Sequence, residues 1–329
     1  MQDFRWAVRS LRKNLGFTVL ALVTLALGVG ATTAAYAVLD TVLLRPLPYR
    51  DADRLVLIRE KTDVGNLLAP SYPNFVDWRD RARAFDGIAS AMFPYFITVW
   101  PGANSIEPVR VQSMGLSKHF LATLGTTPAV GREFTDTENM LGGPSVAMVS
   151  YEFWQTQMGG RQPLGEIRRG DTPTTVVGVM PPGFRFVSNA DVYVPHERTP
   201  GTVRSAHNYL VIGRLKPGVP VGVARSDMTA ISRDLHSVFG NETQAADADV
   251  TPLRDYLVSD FRVLLSVVLG AAVMVLLIAC VNLLSAQLAR GWARDREIAV
   301  RAALGASRSR LVRQLCLESL VLTAVGRAI

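Results

Sequence analysis

Two long stretches without a charged residue constrain this sequence more than any other feature. The first, 14–39, holds 26 uncharged residues between Lys13 and Asp40, and the second, 263–289, holds 27 between Arg262 and Arg290. As helices rising 1.5 Å per residue, each is about 40 Å long, more than the ~30 Å hydrocarbon core of a bilayer. A buried helix of a soluble protein rarely stays apolar on every side for that length. We therefore expect transmembrane helices within residues 14–44 and 262–290.

The charge distribution predicts which side of the membrane each part occupies. The 329-residue chain has a formal net charge of +7, divided into +3 on residues 1–13, −1 on residues 40–262 and +5 on residues 290–329. Positively charged flanks stay in the cytoplasm, so residues 45–261 are expected outside it. Because the basic residues flank apolar stretches and form no patch interleaved with aromatic residues, a nucleic-acid partner is not expected.

The first apolar stretch has one alternative interpretation, a cleaved signal peptide, because residues 35–37 (Ala-Tyr-Ala) resemble a cleavage site. Signal peptides have apolar cores of about 7–15 residues, which is shorter than this stretch, so an uncleaved helix is favoured. Ala26, Gly30 and Ala34 are spaced four residues apart and suit close packing against another membrane helix. Asn282 in the second stretch is assigned to the same helix packing.

The segment before the first apolar stretch, residues 1–13, has the pattern of a short amphipathic helix. Apolar residues at 4, 7, 8 and 11 fall on one face and basic residues on the other. Such a segment binds the lipid of an anionic cytoplasmic leaflet. A charge cluster that only sets topology is the equally weighted alternative.

The central residues 45–261 are predicted to form a mixed α+β domain, which could consist of two packed lobes. Strand-like runs and helical patterns alternate irregularly there and are separated by Pro- and Gly-rich turns. The predicted strands are 54–59, 95–100, 145–149, 175–180, 191–194 and 209–215, and the predicted helices are 73–84, 117–124, 151–158 and 222–239. The two cysteines, Cys280 and Cys316, both lie outside this domain, so it contains no disulfide. Its histidines have no metal-ligand spacing, and the sequence has no P-loop or nucleophile-elbow motif, so neither an enzyme nor a cofactor is expected.

The segment after the second apolar stretch, residues 291–317, carries the most specific pattern. Arg294, Arg301 and Arg308 recur every seven residues and so share one helical face, while Gly305 offers a turn that would divide the segment into two short helices. Such a helix pair could insert into a groove on a soluble partner. The residues alone favour a simpler alternative, in which the arginines fix topology and bind lipid head groups. Residues 318–329 turn apolar again and are expected to be the truncated start of a third membrane helix.

A family resemblance favours partner docking over the simpler topology role for residues 291–317. The run REIAVRAALGASR at 296–308 closely resembles the motif that follows the second membrane helix in MacB/FtsX-type ABC-transporter permeases. Further similar stretches keep the family's order along the chain: 5–14, 16–30, 43–49, 71–73, 77–78, 130–132, 177–184 and 277–282. The resemblance implies the N-terminal portion of a permease, with membrane helices flanking a MacB-like periplasmic core domain.

The resemblance also implies a function. A separate cytoplasmic ABC ATPase would hydrolyse ATP, and its closure would move the extracytoplasmic domain for export or mechanotransmission at the bacterial inner (plasma) membrane. The coupling segment that binds this ATPase would contain Arg296, Glu297, Arg301, Gly305 and Arg308. A homodimer, or pairing with the remaining permease half, is expected. The alternatives are a two-helix membrane-anchored sensor, whose domain binds a ligand, and a membrane-tethered enzyme.

Overall fold

The structure is a computed structural model that describes residues 15–40, 47–102, 105–197 and 203–293. The chain divides into two compact units, one formed by residues 46–257 and the other by the flanking residues 1–45 and 258–329. The predicted N-terminal segment (1–13), most of the coupling segment (291–317) and the predicted third helix (318–329) lie outside the described residues.

Six helices and twelve strands form the described structure. The helices are α1 (Leu15–Leu39), α2 (Tyr72–Arg81), α3 (Phe120–Leu124), α4 (Tyr151–Gln157), α5 (Val221–Phe239) and α6 (Leu253–Ala293). The strands are β1 (Leu55–Lys61), β2 (Leu67–Leu68), β3 (Phe85–Met92), β4 (Tyr95–Trp100), β5 (Val109–Leu116), β6 (Val130–Gly131), β7 (Val146–Val149), β8 (Glu166–Arg169), β9 (Thr172–Val179), β10 (Val192–Pro195), β11 (Tyr209–Leu215) and β12 (Asp247–Pro252).

Two of the helices are long and apolar enough to cross a membrane, over Leu22–Leu39 in α1 and Val263–Asn282 in α6. Only 12% of the first window and 17% of the second are buried inside the protein. The core helix of a soluble protein would be mostly buried. The two helices therefore expose most of their apolar surface.

One half of unit 46–257 is a four-stranded antiparallel sheet in the order β12–β1–β11–β3, with α2 and α5 as connections. The element sequence β1–α2–β3–β11–α5–β12 is that of a split βαβ, or ferredoxin-like, fold, with residues 93–208 inserted between its second and third strands. Because β1 is central, both of its faces are buried. Leu55 and Leu57 face one core cluster, and Val56 and Ile58 face the other.

The inserted half closes on itself. Its strands pair around a ring in the order β5–β10–β7–β9–β8–β4 and back to β5, and β3 joins this ring to the four-stranded half through one pairing with β5. Apolar strand residues of this half, including Val99, Val111, Ala147, Val176 and Val192, form one core cluster with Phe153 and Trp154 of α4. The prediction of a mixed α+β domain is therefore confirmed.

Helix α2 begins where the sequence signals it. The Ser71 hydroxyl caps the helix by accepting a hydrogen bond from the Asn74 backbone N–H, and Pro73 occupies the first turn, where its missing N–H costs nothing. Phe75 and Trp78 then face the sheet and have no exposed surface. The helix ends at Arg81, where Ala82 adopts an extended conformation.

Candidate functional site

The structure covers only part of the site that the sequence predicts. On α1, Ala26 is half-buried while Gly30 and Ala34 are exposed, and Asn282 is exposed on α6. Their role in helix packing stays a prediction. The predicted coupling residues lie outside the described residues: Arg296, Glu297, Arg301, Gly305 and Arg308.

The two apolar helices contact each other through a different set of small residues. A Cβ atom added to Gly28 would lie 3.2 Å from Leu276 Cδ1 and 3.3 Å from the Ala279 Cβ. By contrast, nothing lies within 4 Å of a Cβ added to Gly30. Gly28 therefore lets α1 and α6 approach closely, as small residues do at the interfaces of membrane helices.

The buried residues of both helices repeat every seven positions. Gly28 and Ala35 are buried on α1, and Leu265, Ala272 and Ala279 are buried on α6. A seven-residue repeat keeps one seam of each helix on the same side over two turns. The stripe at Ala26, Gly30 and Ala34 lies mostly off this seam and remains available to a further helix.

Helix α6 is anchored in the core of unit 46–257. Strand β12 pairs with β1 along its whole length, and α6 begins at the next residue without a loop. Leu253 has no exposed surface and belongs to the core cluster, while Tyr256 and Leu257 pack against that cluster. The Arg59 guanidinium lies 5.7 Å from the centre of the Tyr256 ring. The first turn of α6 is therefore part of a packed domain.

A buried polar network joins α2 to the central strand. Glu60, with no exposed surface, accepts hydrogen bonds on Oε1 from the Ser71 backbone N–H (2.9 Å) and from Asn74 Nδ2 (2.6 Å). Asn74 Nδ2 also donates to Thr243 Oγ1 (2.8 Å), and Asn74 Oδ1 accepts from Arg204 Nη1 (2.6 Å). A buried carboxylate is tolerated because hydrogen bonds and a nearby cation compensate its charge.

The nearby cation is His207. Its Nδ1 atom lies 3.3 Å from Glu60 Oε2 and 2.8 Å from the Ala69 carbonyl oxygen, and its Nε2 atom lies 3.2 Å from Gln244 Oε1. The hydrogen bonding to Glu60 raises the pKa of His207 to about 9. His207 is therefore protonated at neutral pH and forms an ion pair with Glu60.

A second polar cluster lies where the two halves of the sheet meet. Buried His196 follows β10, and its Nε2 atom hydrogen-bonds Ser90 Oγ on β3 at 2.8 Å. The next residue, Glu197, accepts hydrogen bonds from Arg79 Nη1 on α2 at 3.0 and 3.1 Å and from the Lys118 backbone N–H at 3.1 Å. These contacts fix the end of the inserted half to the four-stranded half.

The pairing of Ser90 with His196 does not make a nucleophile. Ser90 has no exposed surface and His196 is 3% exposed, so a substrate cannot reach the hydroxyl. Burial also lowers the pKa of His196 to about 3, which makes the imidazole a poor general base at neutral pH. No group of three potential metal ligands occurs in the described part of the chain.

Sequence reasoning missed these clusters because their members are far apart in the chain. Glu60 and His207 come from β1 and from the segment before β11, and only the strand order brings them together. Ser71 carries a local signal, since a serine directly before a helix, followed by proline in its first turn, is a capping pattern. His196 and Glu197 carry none.

Comparison with known proteins identifies the family. The family model of the MacB-like periplasmic core domain matches residues 18–231, and the model of the FtsX-like permease C-terminal region matches residues 269–329. Together they cover α1, most of the α/β unit, most of α6 and the segment beyond it. The chain belongs to the MacB/FtsX-type permease family.

Individual relatives are distant and longer. The macrolide export ATP-binding/permease protein MacB of Psychrobacter cryohalolentis is 24% identical over 261 residues, which are 75% of this chain and 38% of that protein. The uncharacterized ABC transporter permease YknZ of Bacillus subtilis is 23% identical over 199 residues, 60% of this chain and 49% of that protein. The chain thus spans about two fifths of the MacB relative. The regions it matches are permease regions, which are not catalytic.

Solved structures include two permease domains with low sequence identity. A domain of a putative permease from Porphyromonas gingivalis is 14% identical, with a TM-score of 0.48, and covers 62% of this chain and 92% of that one. The periplasmic region of MacB from Actinobacillus actinomycetemcomitans is 12% identical, with a TM-score of 0.46, and the match covers 64% of this chain and 93% of that one.

Proposed function

We propose that this chain is the permease part of an ABC transporter in which a cytoplasmic ATPase moves an extracytoplasmic domain, for export or mechanotransmission. The observation that carries this proposal is α6. It is a single 41-residue helix whose first turn is packed in the α/β unit and whose apolar window follows six residues later. At 1.5 Å per residue it is about 60 Å long. The chain thus passes from the packed first turn into the apolar window without leaving the helix, and this continuous connection is what supports the proposed coupling.

The membrane placement rests on exposure and charge. Apolar helices that are only 12% and 17% buried across their windows need another apolar environment, and a bilayer supplies one. The +3 and +5 flanks would keep both ends in the cytoplasm. In this arrangement residues 14–44 and 262–290 cross the inner membrane, residues 45–261 lie outside it, and residues 1–13 lie on the cytoplasmic lipid surface.

The ATPase contact is assigned to residues 291–317. Arg296, Glu297, Arg301, Gly305 and Arg308 occupy the family motif within the matched permease region. The sequence predicts a charged helix pair there, and such a pair after a membrane helix would be suited to docking on a soluble partner. ATP would then be hydrolysed by the partner, and the start of a third helix at 318–329 would pack with the rest of a permease, either in a homodimer or with a second half.

A charge-reversal experiment tests the ATPase contact. The tagged chain is co-expressed with an ABC-type ATPase and purified from membranes, and the co-purified ATPase is measured. Reversing Arg301 and Arg308 together (to Glu) is expected to reduce the ATPase by at least about tenfold, since breaking charge pairs at an interface costs about 2–5 kcal/mol. Reversing Arg83 and Arg161, two exposed arginines of unit 46–257, makes the same charge change outside the segment 291–317 and is the matched control. Equal retention in both variants would show that the assignment is wrong.

The family match does not favour the alternative of a two-helix sensor. A sensor needs an output module, whereas residues 269–329 match a permease region. The ligand binding that a sensor would require can be tested separately, at the residues of unit 46–257.

A further inference from the structure

A cleft of about 440 Å³ opens in the 46–257 unit, lined by the C-terminal end of α2, the start of β3, α3 and the residues just before it. Phe85, Ile88 and Ala122 give it an apolar part. Arg79, Lys118 and Arg214 contribute positive charges to the same lining. Its volume lies within the range of small-molecule sites, which combine an apolar lining with a few placed polar groups.

Arg214 is the unusual residue of this cleft, because it is 8% exposed and no carboxylate lies within 4 Å of it among the described residues. Its guanidinium instead donates to three backbone carbonyl oxygens, those of Thr123 (2.8 Å), Arg50 (2.8 Å) and Asp51 (3.3 Å). A guanidinium has five N–H donors, so three carbonyls do not use all of them. Burial lowers the pKa of Arg214, as expected for a charge that is incompletely compensated.

The carboxylates around the cleft are already paired with other cations. The pairs are Glu197 with Arg79, Asp86 with Arg54, and Asp51 with Arg50 and Arg54. Lys118 has no ion-pair partner in the described part of the chain. Among the described residues, Lys118 and Arg214 are therefore the cations of the lining that have no carboxylate partner, and they share that lining with Phe85, Ile88 and Ala122.

We propose that this cleft binds an anionic small molecule, with its carboxylate or phosphate at Lys118 and Arg214 and its apolar part against Phe85, Ile88 and Ala122. An oxyanion would accept hydrogen bonds from both cations, and charge-assisted hydrogen bonds are the strong ones in such sites. The inference goes beyond the transport function and does not depend on the ATPase contact, because every residue of the cleft belongs to the α/β unit.

Calorimetric titration of the full chain in phosphatidylcholine nanodiscs tests the site. The probes are phenyl phosphate and hexanoate as anions and hexanol as a neutral analogue. We expect at least one anion to bind about tenfold or more tightly than hexanol and to weaken as salt is raised, because screening acts on the charge interaction. The more tightly bound anion identifies the head group. Binding of neither anion more tightly than hexanol would overturn the proposal.

Two variants locate the binding. Lys118→Gln removes the unpaired cation while its backbone contact to Glu197 is retained, and it should weaken the anion about tenfold. Ala122→Phe changes an exposed residue of the lining and should block the cleft for every probe. Lys61→Gln, a half-exposed lysine on β1 outside the lining, is the matched control and should leave the affinity unchanged. Anion binding unaffected by both Lys118→Gln and Ala122→Phe would place the site elsewhere and overturn the proposal.

Discussion

The Nδ1 atom of His207 lies 3.3 Å from Oε2 of Glu60, a carboxylate with no exposed surface, at the point where β1, α2 and the segment entering β11 meet. Glu60 also receives hydrogen bonds from the first turn of α2. The Glu60–His207 ion pair and the hydrogen bonds of Glu60 therefore join β1, the first turn of α2 and the segment that precedes β11.

Because of this ion pair, the stability of unit 46–257 should fall as the pH rises above neutral. The pKa of His207 is raised from 6.5 to about 9, so its stabilisation is fully present below about pH 6.5 and is lost as pH rises through about 9. Thermal unfolding of the full chain in detergent should show this decline. His207→Gln should remove the dependence and lower Tm at pH 6.5 by about 2–4 °C per kcal/mol lost.

The exposed histidine supplies the control for this experiment. His119→Gln changes a side chain that is 64% exposed, and it should keep the wild-type decline between pH 6.5 and 9. A wild-type-like decline in His207→Gln as well would contradict the assignment.

On the acid side, His196 should have the opposite effect. Its pKa is lowered from 6.5 to about 3 by burial, so the unfolded chain takes up a proton that the folded chain excludes as pH falls from 6.5 toward 3. The free energy of unfolding should therefore fall on acidification. Replacing His196 by Gln, which also can bond Ser90, should flatten this part of the profile. Tm measured across the same pH range checks it, and an unchanged acid slope would argue against it.

Breaking the Arg79–Glu197 pair should destabilise the junction between the two halves strongly. Glu197 has a side chain only 7% exposed, so Arg79→Leu leaves a nearly buried carboxylate without its guanidinium. The expected cost is about 3–5 kcal/mol in the free energy of unfolding, measured with urea. Arg81→Leu is the matched control, because Arg81 pairs with Asp234 on the surface and such pairs contribute about 0–1 kcal/mol. Similar losses of unfolding free energy in both variants would show that the Arg79–Glu197 pair is no more stabilising than the surface pair of Arg81 with Asp234.

The close approach of α1 and α6 predicts a size limit at Gly28. Gly28→Leu must displace Leu276 or Ala279, whose atoms already lie within 3.3 Å of an added Cβ, and cysteine pairs engineered across the two helices should then crosslink less. Gly270→Leu should not reduce crosslinking, because nothing lies within 4 Å of a Cβ there. Gly30→Leu tests the predicted second packing stripe, and it should also leave this crosslink intact.

The membrane topology can be checked with the native cysteine beyond α6. In a Cys280→Ser background, Cys316 should react with a membrane-impermeant maleimide only after permeabilisation. A cysteine introduced at Gln157, an exposed residue of unit 46–257, should react with the same maleimide in intact spheroplasts. Reaction of Cys316 in intact spheroplasts would reverse the predicted orientation. A chain without membrane-crossing helices would have both sites on the same side of the membrane, so the two cysteines would be labelled alike.

The elements that the sequence predicts most directly are those with strong local patterns. The runs at 54–59, 95–100 and 209–215 correspond to β1, β4 and β11, and the helical pattern at 222–239 corresponds to α5. These segments combine apolar periodicity with bounding turns, which are the local signals of strands and amphipathic helices.

Strand β3 could not be predicted from the sequence, because half of its eight residues are glycine, alanine or serine, which have weak strand propensity. Ser90, Ala89 and Ala91 are fully buried there by close packing against neighbouring strands. Across the strand pair, Gly213 leaves room for the Phe85 ring, which would lie 2.6 Å from an added Cβ. Close approach of this kind is set by tertiary contacts, which override weak strand propensity.

The polar clusters were unpredictable for a related reason. The four histidines look alike in the sequence, yet His207 is held protonated by Glu60 and His196 is held neutral by burial. The difference arises from which segments pack around each ring. The cleft cation Arg214 likewise lies in a strand-like run and shows its burial only in three dimensions.

The direct passage from β12 into α6 has a consequence for exchanging domains between relatives. No loop separates β12 from α6 at residues 252–253. The position of Pro252 in the strand therefore determines which side of the first helical turn faces the core. Inserting one residue there would turn the first turn of α6 by about 100° and shift it by about 1.5 Å relative to the core cluster that it packs against. Such a rotation would carry Leu253, which has no exposed surface, out of the core cluster in which it packs. Chimeras joined at this position must therefore keep the residue count, whereas a join within an exposed turn of the α/β unit has no such requirement.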